Sequence, residues 1–107
     1  MTTFDNREQA FENKFAHDHE LNFRITARRN RLAGQWAAEK MKLTPAETDS
    51  YSKSVVQAEF EEMGDEDVVR KLLGDITAAG VETSEIEVRA ALERFNAEAR
   101  HQLVDPS

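Results

Sequence analysis

The sequence predicts an all-α fold, a four-helix bundle with a mobile N-terminal arm continuous with helix 1. Three observations predict it. Helix breakers are sparse: the 107 residues contain two prolines, Pro45 and Pro106, and four glycines, against abundant Ala, Glu, Arg and Leu. Apolar residues recur at spacings of three and four along most of the chain, and no alternating stretch is long enough for a strand. Finally, Thr44-Pro45-Ala46-Glu47 and Ser84 with Glu87 both read as helix starts, each with a capping residue and a glutamate three positions on.

The first helical pattern opens near Phe4 or Asp5 and runs to about Met41. Phe4, Phe11, Phe15, Leu21, Ile25, Leu32 and Trp36 form one drifting stripe. From Phe23 a second stripe appears, with Ala27, Gly34 and Met41, so this part is expected to pack against more than one neighbour. The folded body is placed at residues 21–104 and the arm at residues 1–20. Gly34 in mid-helix costs about 1 kcal/mol relative to Ala, which points to close helix approach, with a kink as the competing reason. The second helix begins at Pro45 behind the Thr44 cap, carries Tyr51, Val55 and Ala58 on its core face, has Val56, Phe60 and Met63 beside them, and stops at Gly64. The third starts around Asp65-Glu66-Asp67, acids that suit a helix N-terminus. Its apolar face is Val68, Val69, Leu72, Leu73 and Ile76, with Gly80 past its end. The fourth follows Ser84 and carries Val88, Leu92, Phe95, Ala99 and Leu103.

Charge is unevenly distributed. The formal net charge is −7: residues 1–20 carry −3, residues 24–42 carry +5 and residues 43–107 carry −9. Within the basic segment Arg24, Arg28 and Arg31 share a helix face, and Arg29 lies between them. This basic face suits either phosphate contacts or pairing with acids, of the same bundle or of a partner; pairing is favoured for a chain of net negative charge without interleaved aromatics.

Several function classes find no support. Cysteine is absent, which excludes disulfides and thiolate metal sites and fits a reducing compartment. His17 and His19 flank Asp18, but side chains two apart on a helix diverge, so no metal site is expected. The acids from Glu59 to Asp67 cluster at a helix junction, where capping and solvation account for them. With no nucleophile elbow and no Gly-rich phosphate loop, the reading is a non-enzyme without cofactors. No apolar run is long enough to span a bilayer and no secretory signal is seen, so a cytoplasmic location is expected.

Phe4, Phe11 and Phe15 either fold back on the bundle or serve as anchors of a partner-binding helix. Apolar burial of about 1.5–3 kcal/mol per Phe would offset the ordering of such an arm. The block MTTFDNREQAFENKFAHD, with Glu20-Leu21, Arg28-Arg29-Asn30, Gly34 and Trp36-Ala37-Ala38, resembles the ATPase inhibitor zeta subunit family of alpha-proteobacterial F-type ATP synthases. The likeness continues through Val55-Val56 and Gly64-Asp65-Glu66-Asp67-Val68. It implies a four-helix bundle whose N-terminal helix inserts at a catalytic interface of the alpha and beta subunits, near the rotor gamma subunit, and stops ATP hydrolysis. The implied inhibitory residues are Phe4, Arg7, Glu8, Phe11, Glu12, Lys14 and Phe15. The implied protein is a free monomer, peripheral to the inner membrane when bound to the ATP synthase. The alternative is a helical module recognising nucleic acid or nucleotide phosphates through the basic face of Arg24, Arg28, Arg29 and Arg31.

Overall fold

The computed structural model describes the backbone of residues 3–61 and 64–104, and the side chains of residues 18–59 and 64–104. Four helices follow in order: α1 (Thr3–Lys40), α2 (Pro45–Glu61), α3 (Glu66–Ala78) and α4 (Glu85–Val104). No strand occurs among the described residues. The all-α bundle expected from the periodicity is therefore present, and α1 runs without interruption from Thr3 into the body. The expected mobility of the arm, and the side chains of Phe4 to His17, lie outside the described residues.

Helix α1 is the centre of the assembly, with its backbone close to all three others, whereas the α2 and α4 backbones do not approach within 8 Å of each other among the described residues. Paired contacts make α1 antiparallel to both flanking helices. Gly34 meets Ser52 and Arg29 meets Glu59 on α2, while Arg28 meets Gln102 and Lys40 meets Glu87 on α4. Among the described residues, the buried face of α1 is built mainly from small residues, Ala33, Gly34, Ala37 and Ala38, together with Ile25. Leu21, Leu32 and Trp36 are only half-buried, and Phe23, the start of the second expected stripe, is 51% exposed. The apolar core is supplied mostly by the other helices: Val55 from α2, Val68, Val69, Leu72 and Ile76 from α3, and Val88 and Leu92 from α4. Trp36 and Phe95 close its α1–α4 edge in a T-shaped contact with centroids 6.4 Å apart.

The reason for the small residues is distance. A Cβ built on Gly34 would lie 2.7 Å from the Ser52 Cα, closer than side chains come to a backbone. Ser52 is itself buried and turns its hydroxyl back to the Thr48 carbonyl at 2.8 Å, so the α2 surface facing Gly34 is nearly bare backbone. Close approach, rather than a kink, is what the glycine permits.

The connections show which start and stop signals operate. Thr44 and Glu47 form a full capping box: the Glu47 amide donates to Thr44 Oγ1 at 3.2 Å and the Thr44 amide to Glu47 Oε1 at 2.9 Å. The second expected box is only half formed. The Glu87 amide donates to Ser84 Oγ at 3.1 Å, but the Glu87 carboxylate takes Lys40 Nζ at 2.7 Å and the Thr83 hydroxyl at 3.3 Å instead of the Ser84 amide. A cation from α1 outcompetes a neutral backbone donor. Helix α3 ends in a Schellman motif: Gly80, at φ +81°, donates to the Thr77 carbonyl and Val81 to that of Ile76. Helix α1 ends in the same motif, with Lys42 and Leu43 donating to Glu39 and Ala38. Its left-handed position is taken by Lys42, at φ +59°.

Two substitutions test this account by thermal unfolding. Gly34→Ala should destabilise by about 1–2 kcal/mol, because overpacking against the Ser52 backbone outweighs the gain in helix propensity. Lys42→Gly should stabilise by about 0.5–1 kcal/mol by relieving a left-handed non-glycine residue whose side chain is exposed.

Candidate partner-binding site

Of the residues expected to carry function, Phe4, Arg7, Glu8, Phe11, Glu12, Lys14 and Phe15 lie on the N-terminal turns of α1, and their side chains fall outside the described residues. The side chains of the arm described here, Asp18, His19 and Glu20, are all exposed. The basic segment can be followed atom by atom, and it divides into two parts.

Arg24, Arg28 and Arg31 are exposed and line one groove. Arg28 Nε donates to Gln102 Oε1 on α4 at 2.8 Å, a neutral partner, and Arg28 has no ion pair among the described residues. Arg31 Nη2 reaches Asp49 Oδ1 on α2 at 3.5 Å, a long pair between exposed side chains. Arg24 has no ion pair among the described residues. The groove, about 310 Å³, has apolar walls from Phe23 and Ala27 of α1, Val56 of α2 and Leu103 of α4.

Arg29 points the other way. Only 6% exposed, it is held between three helices. Its Nη2 bonds to Asp65 Oδ1 at 3.0 Å at the start of α3, lies 3.7 Å from Glu59 Oε2 of α2, and shares Asn30 Oδ1 with its own Nε. This explains why Asp65, placed as an N-cap, makes no side-chain cap bond: its carboxylate is committed to Arg29. Asn30 is fully buried, a residue that periodicity does not flag. Its Nδ2 and Glu59 Oε2 have no hydrogen-bond partner among the described residues. Burial pushes the Glu59 carboxyl above the usual carboxylate range; Arg29 opposes that shift and Asp65 adds to it.

Elsewhere the charges serve packing. Tyr51 Oη donates to Asp75 Oδ2 at 2.9 Å, Lys71 Nζ joins the same oxygen at 3.0 Å, and the ammonium sits 5.1 Å from the Tyr51 ring centre. Burial, with the Asp75 bond, drives the Tyr51 hydroxyl far above its ordinary pKa, so it acts as a permanent donor joining α2 to α3. A second cleft, lined by Arg29, Asp65, Arg89, Glu93 and Asn96, offers no free cation, because Arg89 is bonded to both Glu66 and Glu85. No metal-ligating cluster occurs among the described residues, where His19 and His101 are both exposed.

The sign of the Glu59 contribution follows from its shift. A carboxyl raised in the folded state holds a proton that the unfolded chain releases, so its contribution to stability falls as pH rises through the raised pKa. Melting temperatures between about pH 4 and about pH 7 should show wild type losing stability relative to Glu59→Gln as pH increases. Parallel pH curves for the two proteins would contradict this.

Comparison with known proteins gives these features a context. The family model for ATPase inhibitor subunit zeta matches residues 1–102. No curated protein matches the sequence. Among solved structures, a protein studied by solution NMR is 44% identical, with a TM-score of 0.70 over 81% of this chain and 99% of its own. No described helix is long and apolar enough to cross a membrane. With the family match spanning both the bundle and the N-terminal turns of α1, the chain belongs to the ATPase inhibitor subunit zeta family.

Proposed function

We propose that this protein inhibits the F-type ATP synthase by inserting the N-terminal part of α1 at a catalytic interface between alpha and beta subunits, near the rotor gamma subunit. The observation that carries this reading is the continuity of α1. It is 38 residues long, about 57 Å at the helical rise, whereas α2, α3 and α4 have 17, 13 and 20 residues. Residues 1–20 act as the inserting element and residues 21–104 as the body that holds it.

In sequence, Phe4, Phe11 and Phe15 recur at i, i+7 and i+11, the spacing of anchors on a helix received by an apolar groove. Arg7, Glu8, Glu12 and Lys14 then set orientation through charge complementarity. Inhibition of this kind requires no chemistry from the inhibitor. A helix wedged between subunits that must close around nucleotide raises the free energy of the closed state, and hydrolysis stops for lack of that state. The complex would lie peripheral to the inner membrane on its cytoplasmic side.

Titration of ATP hydrolysis by the cognate ATPase tests the proposal. The full chain should inhibit, and a form lacking residues 1–18 should fold to the same helical bundle yet fail to inhibit. Equal inhibition by the shortened form would refute the inserting role of α1. Phe11→Ala with Phe15→Ala should weaken inhibition by about two orders of magnitude or more, from the loss of about 1.5–3 kcal/mol of apolar burial per ring.

A further inference from the structure

We infer that the groove between Arg24, Arg28 and Arg31 is a second docking surface, and that it receives an acidic amphipathic helix on the outer surface of the ATPase head. This rests on the inhibitor reading above and adds to it the part of the bundle that grips the enzyme.

The first support is charge. In a chain of net charge −7, the only strongly basic stretch lies at residues 24–42. Three of its arginines are exposed along one groove. Arg28 is bonded only to a neutral amide, Arg31 to a single carboxylate at 3.5 Å, and Arg24 to no acid among the described residues. Among the described residues such a rim is largely uncompensated, and exchanging the exposed Arg31–Asp49 contact for a partner's carboxylate costs little. The fourth arginine, Arg29, shows the contrast, because its carboxylates come from within the bundle.

The second support is the apolar wall. Phe23 is half exposed and faces the groove together with Ala27, Val56 and Leu103. A smaller slot shares Phe23, Ala27 and Val56 and adds Thr26 and Glu59. A nucleic-acid backbone uses the arginines but gains nothing from these side chains, and the acidic remainder of the chain repels a polyanion. A helix with aliphatic residues on one stripe and carboxylates flanking it uses both. The third support is position. The groove begins one turn beyond Glu20 on the same helix, and Ala27 lies about 18 Å along α1 from Phe15. A body of protein that receives the N-terminal turns is therefore within reach of this surface.

The test uses the full chain and the cognate ATPase, with hydrolysis titrated at low and at high ionic strength. Arg24→Glu combined with Arg28→Glu should leave the melting temperature nearly unchanged and raise the half-inhibitory concentration about tenfold or more. Phe23→Ser should weaken inhibition in the same assay, and Arg70→Glu, on α3 away from the groove, should match wild type. Added salt should weaken wild type more than the double variant. The inference is overturned if the double variant inhibits as wild type does, or if the two respond equally to salt. It is also overturned if sedimentation shows a wild-type dimer that the double variant abolishes, which assigns the groove to a second copy. Salt-dependent binding of duplex DNA by the free protein, lost in the double variant, assigns it to nucleic acid. Failure of wild type itself to inhibit removes the inhibitor reading, whereas failure of the groove variants alone to differ leaves that reading standing.

Discussion

At Gly34 the α1 backbone comes so close to α2 that no Cβ fits between it and Ser52. Because α1 sits this deep, Ala33, Ala37 and Ala38 are fully buried without large side chains, and the branched residues of α3 and α4 reach the same core. A larger residue at Gly34 would separate α1 from α2 and open space around Val55 and Leu72, where interiors tolerate few voids. The arrangement costs α1 some helix propensity and some apolar area. It recovers them through contact with every other helix of the fold.

That lean seam leaves room for polar burial, and Arg29 occupies it. Its guanidinium meets a carboxylate from α2 and another from the start of α3, so one side chain sees three helices at once. Arg29 is buried but Asp65 is exposed and Glu59 half-buried, so desolvation of the guanidinium and solvent screening of the acids leave these pairs little net stability to add. The cluster is therefore better understood as fixing where α3 begins relative to α1 than as strengthening the bundle. Asp65 gives up its capping role for this purpose, and α3 starts without a side-chain cap.

Much of the fold was legible because α3 and α4 follow simple periodicity. Val68, Val69, Leu72 and Ile76 are buried as their spacing indicates, as are Val88, Leu92 and Ala99. Helix α1 was less legible. Its large hydrophobics suggested two apolar stripes, yet among the described residues its buried face is alanine, glycine, Ile25 and a polar pair, because close packing selects small size over hydrophobicity. Ser52 and Asn30 were invisible for the same reason: their burial is set by distance and hydrogen bonding, which a hydropathy pattern does not encode. Lys42 at a left-handed helix end was equally unreadable, since the usual signal there is glycine. For the candidate site, Arg24, Arg28 and Arg31 share a groove as their spacing implies, but Arg29, one residue from Arg28, turns inward. By sequence Arg29 counts within the basic face; the acids supplied by other helices turn it inward instead.

The continuity of α1 has a geometric consequence. In a single uninterrupted helix, angular phase is transmitted along with length. Whatever azimuth the N-terminal turns present to a partner is set by the way Gly34 and Arg29 lock the same helix into the body. One residue added between the two parts would turn them relative to each other by about 100° and separate them by about 1.5 Å. The body thus acts as a key bow, determining both how far the shaft reaches and which way its teeth face.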